Sequence, residues 1–168
     1  ILKYNNNINQ KPIILISKFL IFNNNLLKKN EKTKYDICGI GSILGTFIFI
    51  LELKIKINII GIIPTLENDL NNKIKNNNII KTLSGKTIEI LNNNSDGKLI
   101  LCDMLTYSQK YNPMIIIDIT SLNKSTKIFL GKKYNALYSN NSKLSNDIII
   151  AGKMINDLCW KMPLQKKL

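Results

Sequence analysis

Short isoleucine-rich runs alternate with longer segments of helical spacing along most of the chain. Ile13–Ser17 and Ile57–Ile63 have the length of buried strands, whereas Ile37–Leu51 and Leu99–Tyr111 are long enough for helices. Strands that alternate with helices are typical of layered α/β folds, because each crossover helix packs back onto the sheet. The pattern therefore predicts an α/β fold in which a mixed, largely parallel β-sheet is sandwiched between helices.

Capping and chain-breaking residues predict the remaining boundaries. Asp36 is a suitable N-cap for a helix that runs to about Leu53. The 168 residues contain no repeat and no strong linker, so we expect a single domain over residues 1–168. Because the chain opens at Ile1 without an initiator Met, we expect it to be part of a longer protein. Further strands are predicted at residues 87–91, 114–119 and 127–130, and a last helix with apolar residues at positions 144, 148, 151, 155 and 158.

One apolar segment raises the question of a membrane span. Ile37–Leu51 is shorter than the ~20 residues that a spanning helix needs, and Glu52 and Lys54 follow it directly. We therefore expect a buried helix here and no membrane partner.

The chain is strongly basic, with a net charge of +13. Such a charge is one signature of a nucleic-acid partner. However, the lysines are scattered, arginine is absent, and no basic stripe interleaved with aromatic residues is present. Compositional drift toward Asn, Ile and Lys accounts for the charge better, so a nucleic-acid partner is not favoured.

The absence of histidine narrows the possible chemistry. It excludes Ser-His-Asp and Cys-His nucleophile systems, histidine-ligated zinc and imidazole acid–base catalysis. The three cysteines form no C-x-x-C pair, which favours a reduced intracellular compartment. An enzyme built from this chain must use carboxylates, lysines, backbone groups or a metal with oxygen ligands.

Polar residues follow the predicted strands where catalytic groups of α/β proteins usually lie, at the carboxyl ends. Lys18 follows the first strand, Asp36 begins a helix, and Asn94–Lys98 lies between a strand and the next helix. Ordinary caps, turns and a solvated lysine explain the same residues, and spacing alone favours that structural interpretation.

A longer motif points to a known family. The string Lys86-Thr-Ile-Glu-Ile-Leu-Asn-Asn-Asn-Ser-Asp-Gly-Lys-Leu-Ile-Leu-Cys-Asp-Met-Leu-Thr-Tyr107 resembles the leucyl aminopeptidase (cytosol aminopeptidase) signature N-T-D-A-E-G-R-L with its flanks. Lys34-Tyr-Asp-Ile-Cys-Gly39 resembles the family's K-Y-D-M-C-G, and Asp118-Ile-Thr-Ser-Leu122 resembles its D-I-A-T-L. Trp160-Lys-Met-Pro-Leu164 resembles W-R-L-P-L, so the similarity is collinear from about Ile13 to Leu164.

The resemblance implies a cytoplasmic metalloaminopeptidase that hydrolyses N-terminal residues from peptides. The family uses two divalent ions, manganese or zinc, and a bicarbonate, and its subunits assemble as hexamers. The resemblance also implies that the family's N-terminal domain and the end of its catalytic domain lie outside this sequence.

The family's functional residues carry over to this chain position by position. Lys28 falls on the catalytic lysine, with Lys29 as a close alternative, because the loop after Asn23 is shorter here. Lys98 takes the place of the arginine that holds bicarbonate. The resemblance thus implies Lys28 and Lys98 as catalytic residues, Lys18, Asn23, Asp36, Asn94 and Asp96 as metal ligands, and Leu122 and Lys124 as substrate-binding residues.

Several of these positions depart from the family pattern. Asn23 and Asn94 replace carboxylates by neutral amides, which bind hard dications more weakly. Asp96 is one methylene shorter than the family's glutamate, and Lys98 lacks the bidentate fork of arginine. A catalytically impaired or inactive relic with a structural or interaction role is therefore one alternative to an active peptidase, and a basic nucleic-acid binder is the other.

Overall fold

The computed structural model describes residues 1–7, 9–22, 32–68, 78–90, 96–121 and 125–165. The chain forms two compact units, Ile1–Leu122 and Asn123–Leu168. The single catalytic domain expected over residues 1–168 stays a prediction. The strands of the first unit are β1 (Leu2–Asn5), β2 (Ile13–Ile16), β3 (Phe19–Phe22), β4 (Asn58–Ile62), β5 (Thr65–Asn68), β6 (Ile79–Lys81), β7 (Thr87–Glu89) and β8 (Ile115–Asp118); its helices are α1 (Lys32–Glu52) and α2 (Asp96–Ser108).

The first unit is built on a four-stranded sheet with the order β1-β4-β2-β8. β2 pairs in parallel with both β4 and β8, whereas β1 is antiparallel to β4. β3–β5 and β6–β7 form separate two-stranded sheets, the first parallel and the second antiparallel. The mixed, largely parallel sheet confirms the predicted fold class.

Successive side chains of the strands point to opposite faces of the sheet, which divides the core into two layers. Ile14 and Ile16 face the same side as Ile60 and pack with Leu101 of α2. A second buried cluster lies on the opposite side of the sheet. It combines the strand residues Leu15 and Ile59 with three residues of α1, Ile43, Phe47 and Ile50. The sheet is therefore covered by α2 on one face and by α1 on the other.

A glycine sets the close approach of α1 to the sheet. A Cβ at Gly39 would lie closer than 3.0 Å to the carbonyl oxygen of Ile119 and to Oγ of Ser17. Real side chains do not tolerate such distances, so only glycine lets α1 pack this closely. The helix starts at Lys32, so the prediction that Asp36 caps it is wrong. The helix gains an extra turn on its N-terminal side, and Asp36 lies inside it.

α1 is buried along one face only. Ile43 and Phe47 are buried, whereas Ile37, Ile48 and Phe49 are about half exposed. The expected buried helix is therefore a half-buried one. Among the described residues, no helix is long and apolar enough to cross a membrane.

α2 matches the helical segment predicted from Leu99, but it begins earlier, at Asp96. A short 3-10 turn, Gln109–Tyr111, continues it. The carboxylate of Asp103 accepts a hydrogen bond of 2.8 Å from the backbone N–H of Leu83. This bond fixes the turn between β6 and β7 against α2.

The second unit contains α3 (Ser125–Leu130), β9 (Tyr134–Leu137), α4 (Ser142–Met154) and β10 (Leu158–Lys161), and its two strands pair in parallel. The prediction of a strand at residues 127–130 is wrong, because these residues form α3. Gly131, at φ 70°, ends that helix with a 3.1 Å hydrogen bond from its N–H to the carbonyl of Lys127. Ile155 and Leu158, predicted on the face of the last helix, lie beyond its end at Met154.

Candidate functional site

Lys18 lies at the carboxyl end of β2 and is 7% exposed. Its position continues the alternation of Ile14 and Ile16, which face α2. A Cβ on Gly97 would lie 3.1–3.2 Å from Cδ, Cε and Nζ of Lys18. Gly97 therefore leaves the space in which the lysine side chain reaches the first turn of α2.

The neighbouring residue, Ser17, points to the other face of the sheet. It is fully buried beside Gly39 of α1, and its Oγ has no hydrogen-bond partner among the described residues. Asp36 stands one turn before Gly39 in α1. The backbone that carries Asp36 thus approaches the sheet edge from the α1 face, opposite Lys18.

A second acidic residue, Asp118, lies at the same edge. It is the last residue of β8 and is level with Ile16 of β2 in the sheet register. Its Oδ2 accepts a 3.0 Å hydrogen bond from the hydroxyl of Thr120, whereas its Oδ1 is buried without a partner in the described part of the chain. Burial raises the pKa of the Asp118 carboxyl, and the Thr120 hydrogen bond and the charge of Lys18 oppose this rise.

The structure brings together some of the predicted site residues. Lys18 meets the turn that contains Asp96 and Lys98, and Lys98 is exposed there. The backbone places Asp36 in the second turn of α1 and Asp96 at the start of α2. Asn23, Lys28, Asn94, Leu122 and Lys124 lie outside the described residues.

Asp118 is a residue that the sequence interpretation did not assign to the site. Two signals could have found it. It ends an apolar run, and it occupies the aspartate position of the D-I-T-S-L motif. Only the pairing of β8 with β2 shows that this aspartate shares an edge with Lys18.

The groups at this edge fit a divalent cation. Within the described residues, no three Cys, Asp or Glu side chains form a ready-made metal cluster. However, Asp118 offers a buried carboxylate oxygen without a partner, and Gly97 leaves room for the amine of Lys18. Carboxylate oxygens suit hard divalent cations, and a bound water or ion is one explanation for a buried acceptor without a partner.

Comparison with known proteins identifies the family. The family model described as the cytosol aminopeptidase family, catalytic domain, matches residues 1–168. The chain belongs to the cytosol aminopeptidase family. It is 41% identical over 170 residues to a probable cytosol aminopeptidase of Vesicomyosocius okutanii subsp. Calyptogena okutanii (strain HA), a match that covers 98% of this chain and 36% of the relative. It is 42% identical over 175 residues to the probable cytosol aminopeptidase of Blochmanniella floridana, covering 99% of this chain and 35% of that protein.

A solved structure shares the fold. The bottromycin maturation enzyme BotP superposes with a TM-score of 0.81 at 19% identity, over 97% of this chain and 36% of that chain. At this identity the similarity shows the fold alone. The chain thus belongs to a peptidase family, and it spans about a third of the length of the curated relatives it matches.

Proposed function

We propose that this chain forms the metal-binding part of an aminopeptidase, which removes N-terminal residues from peptides with a dinuclear metal centre. The observation that carries the proposal is the burial of Lys18 against the first turn of α2, at the sheet edge shared with Asp118. This arrangement places a buried lysine and a partly buried carboxylate at the carboxyl edge of the sheet, where functional groups of α/β proteins gather.

The proposed metal ligands are drawn from both faces of the sheet edge. Lys18 and Asp96 lie on the α2 side, and Asp36 lies on the α1 side. Asn23 and Asn94 complete the proposed set with amide oxygens. Manganese or zinc bound there would polarise the scissile carbonyl and acidify a water molecule.

The other proposed residues act on the substrate. Lys28 would place a positive charge at the scissile carbonyl oxygen, and Leu122 and Lys124 would hold the peptide backbone. Lys98, exposed in the first turn of α2, would hold a bicarbonate as a point charge. We further propose that the protein acts in the cytoplasm on peptides, as a hexamer.

The two amide ligands favour a second candidate function. With Asn23 and Asn94 in place of carboxylates, the proposed site for two dications has two fewer negative charges. A site that has lost this charge binds metal more weakly. The second candidate is therefore an inactive member of the family that keeps the fold for a structural or interaction role.

Hydrolysis of leucine p-nitroanilide by the full-length protein, with and without added Mn²⁺, separates the two candidates. We expect metal-dependent turnover that is lost on chelation and in Lys18→Met. Lys86→Met removes an exposed lysine of the β6–β7 hairpin and should keep the activity. Turnover that is absent at millimolar Mn²⁺, in a folded protein, would favour the inactive candidate.

A further inference from the structure

Asp118 is a partly buried carboxylate to which the family resemblance assigns no role. One of its oxygens accepts the Thr120 hydroxyl at 3.0 Å, and the other is buried without a partner among the described residues. The charge of Lys18 acts on this carboxyl group electrostatically. The carboxylate therefore lies within the electrostatic reach of a proposed metal ligand.

The sheet topology puts the two residues on one face. β2 and β8 are parallel neighbours, and Ile16 is level with Asp118. Ile116, two residues before Asp118, packs in the α2-facing layer together with Ile14 and Ile16. Because side chains two residues apart share a face, Asp118 lies on the same side of the sheet as Lys18.

A cation bound beside Lys18 would need negative charge nearby. The lysine amine lies against Gly97, in the first turn of α2, where the positive end of the helix dipole disfavours a cation. Because Lys18 is buried, little water is left there to offset this effect. A carboxylate on the same face supplies negative charge, and it attracts a dication more strongly than a singly charged group.

Stability does not explain the carboxylate. A buried acceptor without a partner costs free energy, and so does burying the charge itself. An uncharged side chain of the same shape would avoid these costs. The presence of such a group at a sheet edge is one indication of a functional site.

We propose that Asp118 is a positioning residue of the metal site, which acts on the Lys18 side chain through its charge and supplies negative charge toward the bound cations. The inference rests on the proposed function. In this arrangement Asp118 offsets part of the charge lost at Asn23 and Asn94. Asp118 acts through Lys18 and through the electrostatic field of its carboxylate, so it needs no direct bond to a metal.

The test is a calorimetric titration of the full-length protein with Mn²⁺, combined with thermal unfolding of the metal-free protein. Asp118→Asn keeps the shape and removes the charge. We expect it to weaken Mn²⁺ binding by about 10- to 100-fold, the usual range for residues that support metal ligands, without lowering the melting temperature. Asp103→Asn is the matched control. It removes an α2 carboxylate about two turns away that holds Leu83, and it should leave Mn²⁺ affinity unchanged.

Thr120→Val provides a second variant, because it removes the hydrogen bond to the Asp118 carboxylate and keeps the carboxylate itself. A smaller loss of affinity, about threefold for one supporting hydrogen bond, is expected. Equal affinity of the wild type, Asp118→Asn and Thr120→Val would overturn the role of Asp118 while leaving the metal site intact. A wild type that binds no Mn²⁺ would overturn the proposed function and this inference together.

Discussion

Replacing Gly39 by alanine tests how α1 is held against the sheet. The new Cβ would lie closer than 3.0 Å to the carbonyl oxygen of Ile119 and to Oγ of Ser17. The first of these atoms belongs to the backbone and cannot rotate away, so α1 must shift. Overpacking of this kind costs about 3 kcal/mol. For a chain of this size that corresponds to a fall of about 6–12 °C in melting temperature.

Gly41→Ala is the matched control, since a Cβ there meets nothing within 4 Å. In a helix interior this change stabilises by about 0.5–1 kcal/mol, a rise of roughly 1–4 °C. Thermal unfolding followed by circular dichroism compares the two variants. Because the shift of α1 also moves Asp36, Gly39→Ala should weaken Mn²⁺ binding. Similar melting temperatures for Gly39→Ala and Gly41→Ala would refute the close approach of α1 to β2 and β8.

Three further predictions concern single groups. The pKa of Asp118 is raised in the folded state, so its contribution to stability is present at low pH and is lost as pH rises through that pKa. Urea unfolding of the wild type and Asp118→Asn at several pH values should show the wild type losing stability relative to the variant as pH rises. Asp103→Ala removes the acceptor of the Leu83 N–H, and it should cost about 1 kcal/mol in urea unfolding and speed hydrogen exchange at that amide. Asn141→Ala removes the side-chain cap that accepts from the N–H of Leu144 at 3.1 Å, and we expect a loss of about 1 kcal/mol in the same assay.

The central strands could be predicted from sequence because they are buried on both faces. β2 and β4 are runs of isoleucine and leucine interrupted by few polar residues, and Pro64 stops the second run. The prediction of a strand at residues 127–130 failed because the apolar run there, residues 128–130, is too short to show a decisive period. The segment predicted as a strand forms α3 instead, which is followed by the turn at Gly131 and the strand Tyr134–Leu137.

The candidate site was predictable only as a set of positions. Motif order indicated Lys18 and Asp36, but it could not show that Lys18 is buried against Gly97. Asp118 was missed because it lies inside the strand predicted at residues 114–119, and its place in a strand does not show which groups surround it. Its proximity to Lys18 depends on the register between β2 and β8, which are about one hundred residues apart in the chain. Such long-range pairing leaves no local signal.

The most direct test of the metal site is calorimetric titration of the full-length protein with Mn²⁺ and Zn²⁺, beside Asp36→Ala. The proposed arrangement predicts binding at two sites in the wild type and the loss of that binding in Asp36→Ala, with Asp103→Asn unchanged. Absence of binding at millimolar metal, in protein shown to be folded, would contradict a metal centre at the carboxyl edge of β2 and β8.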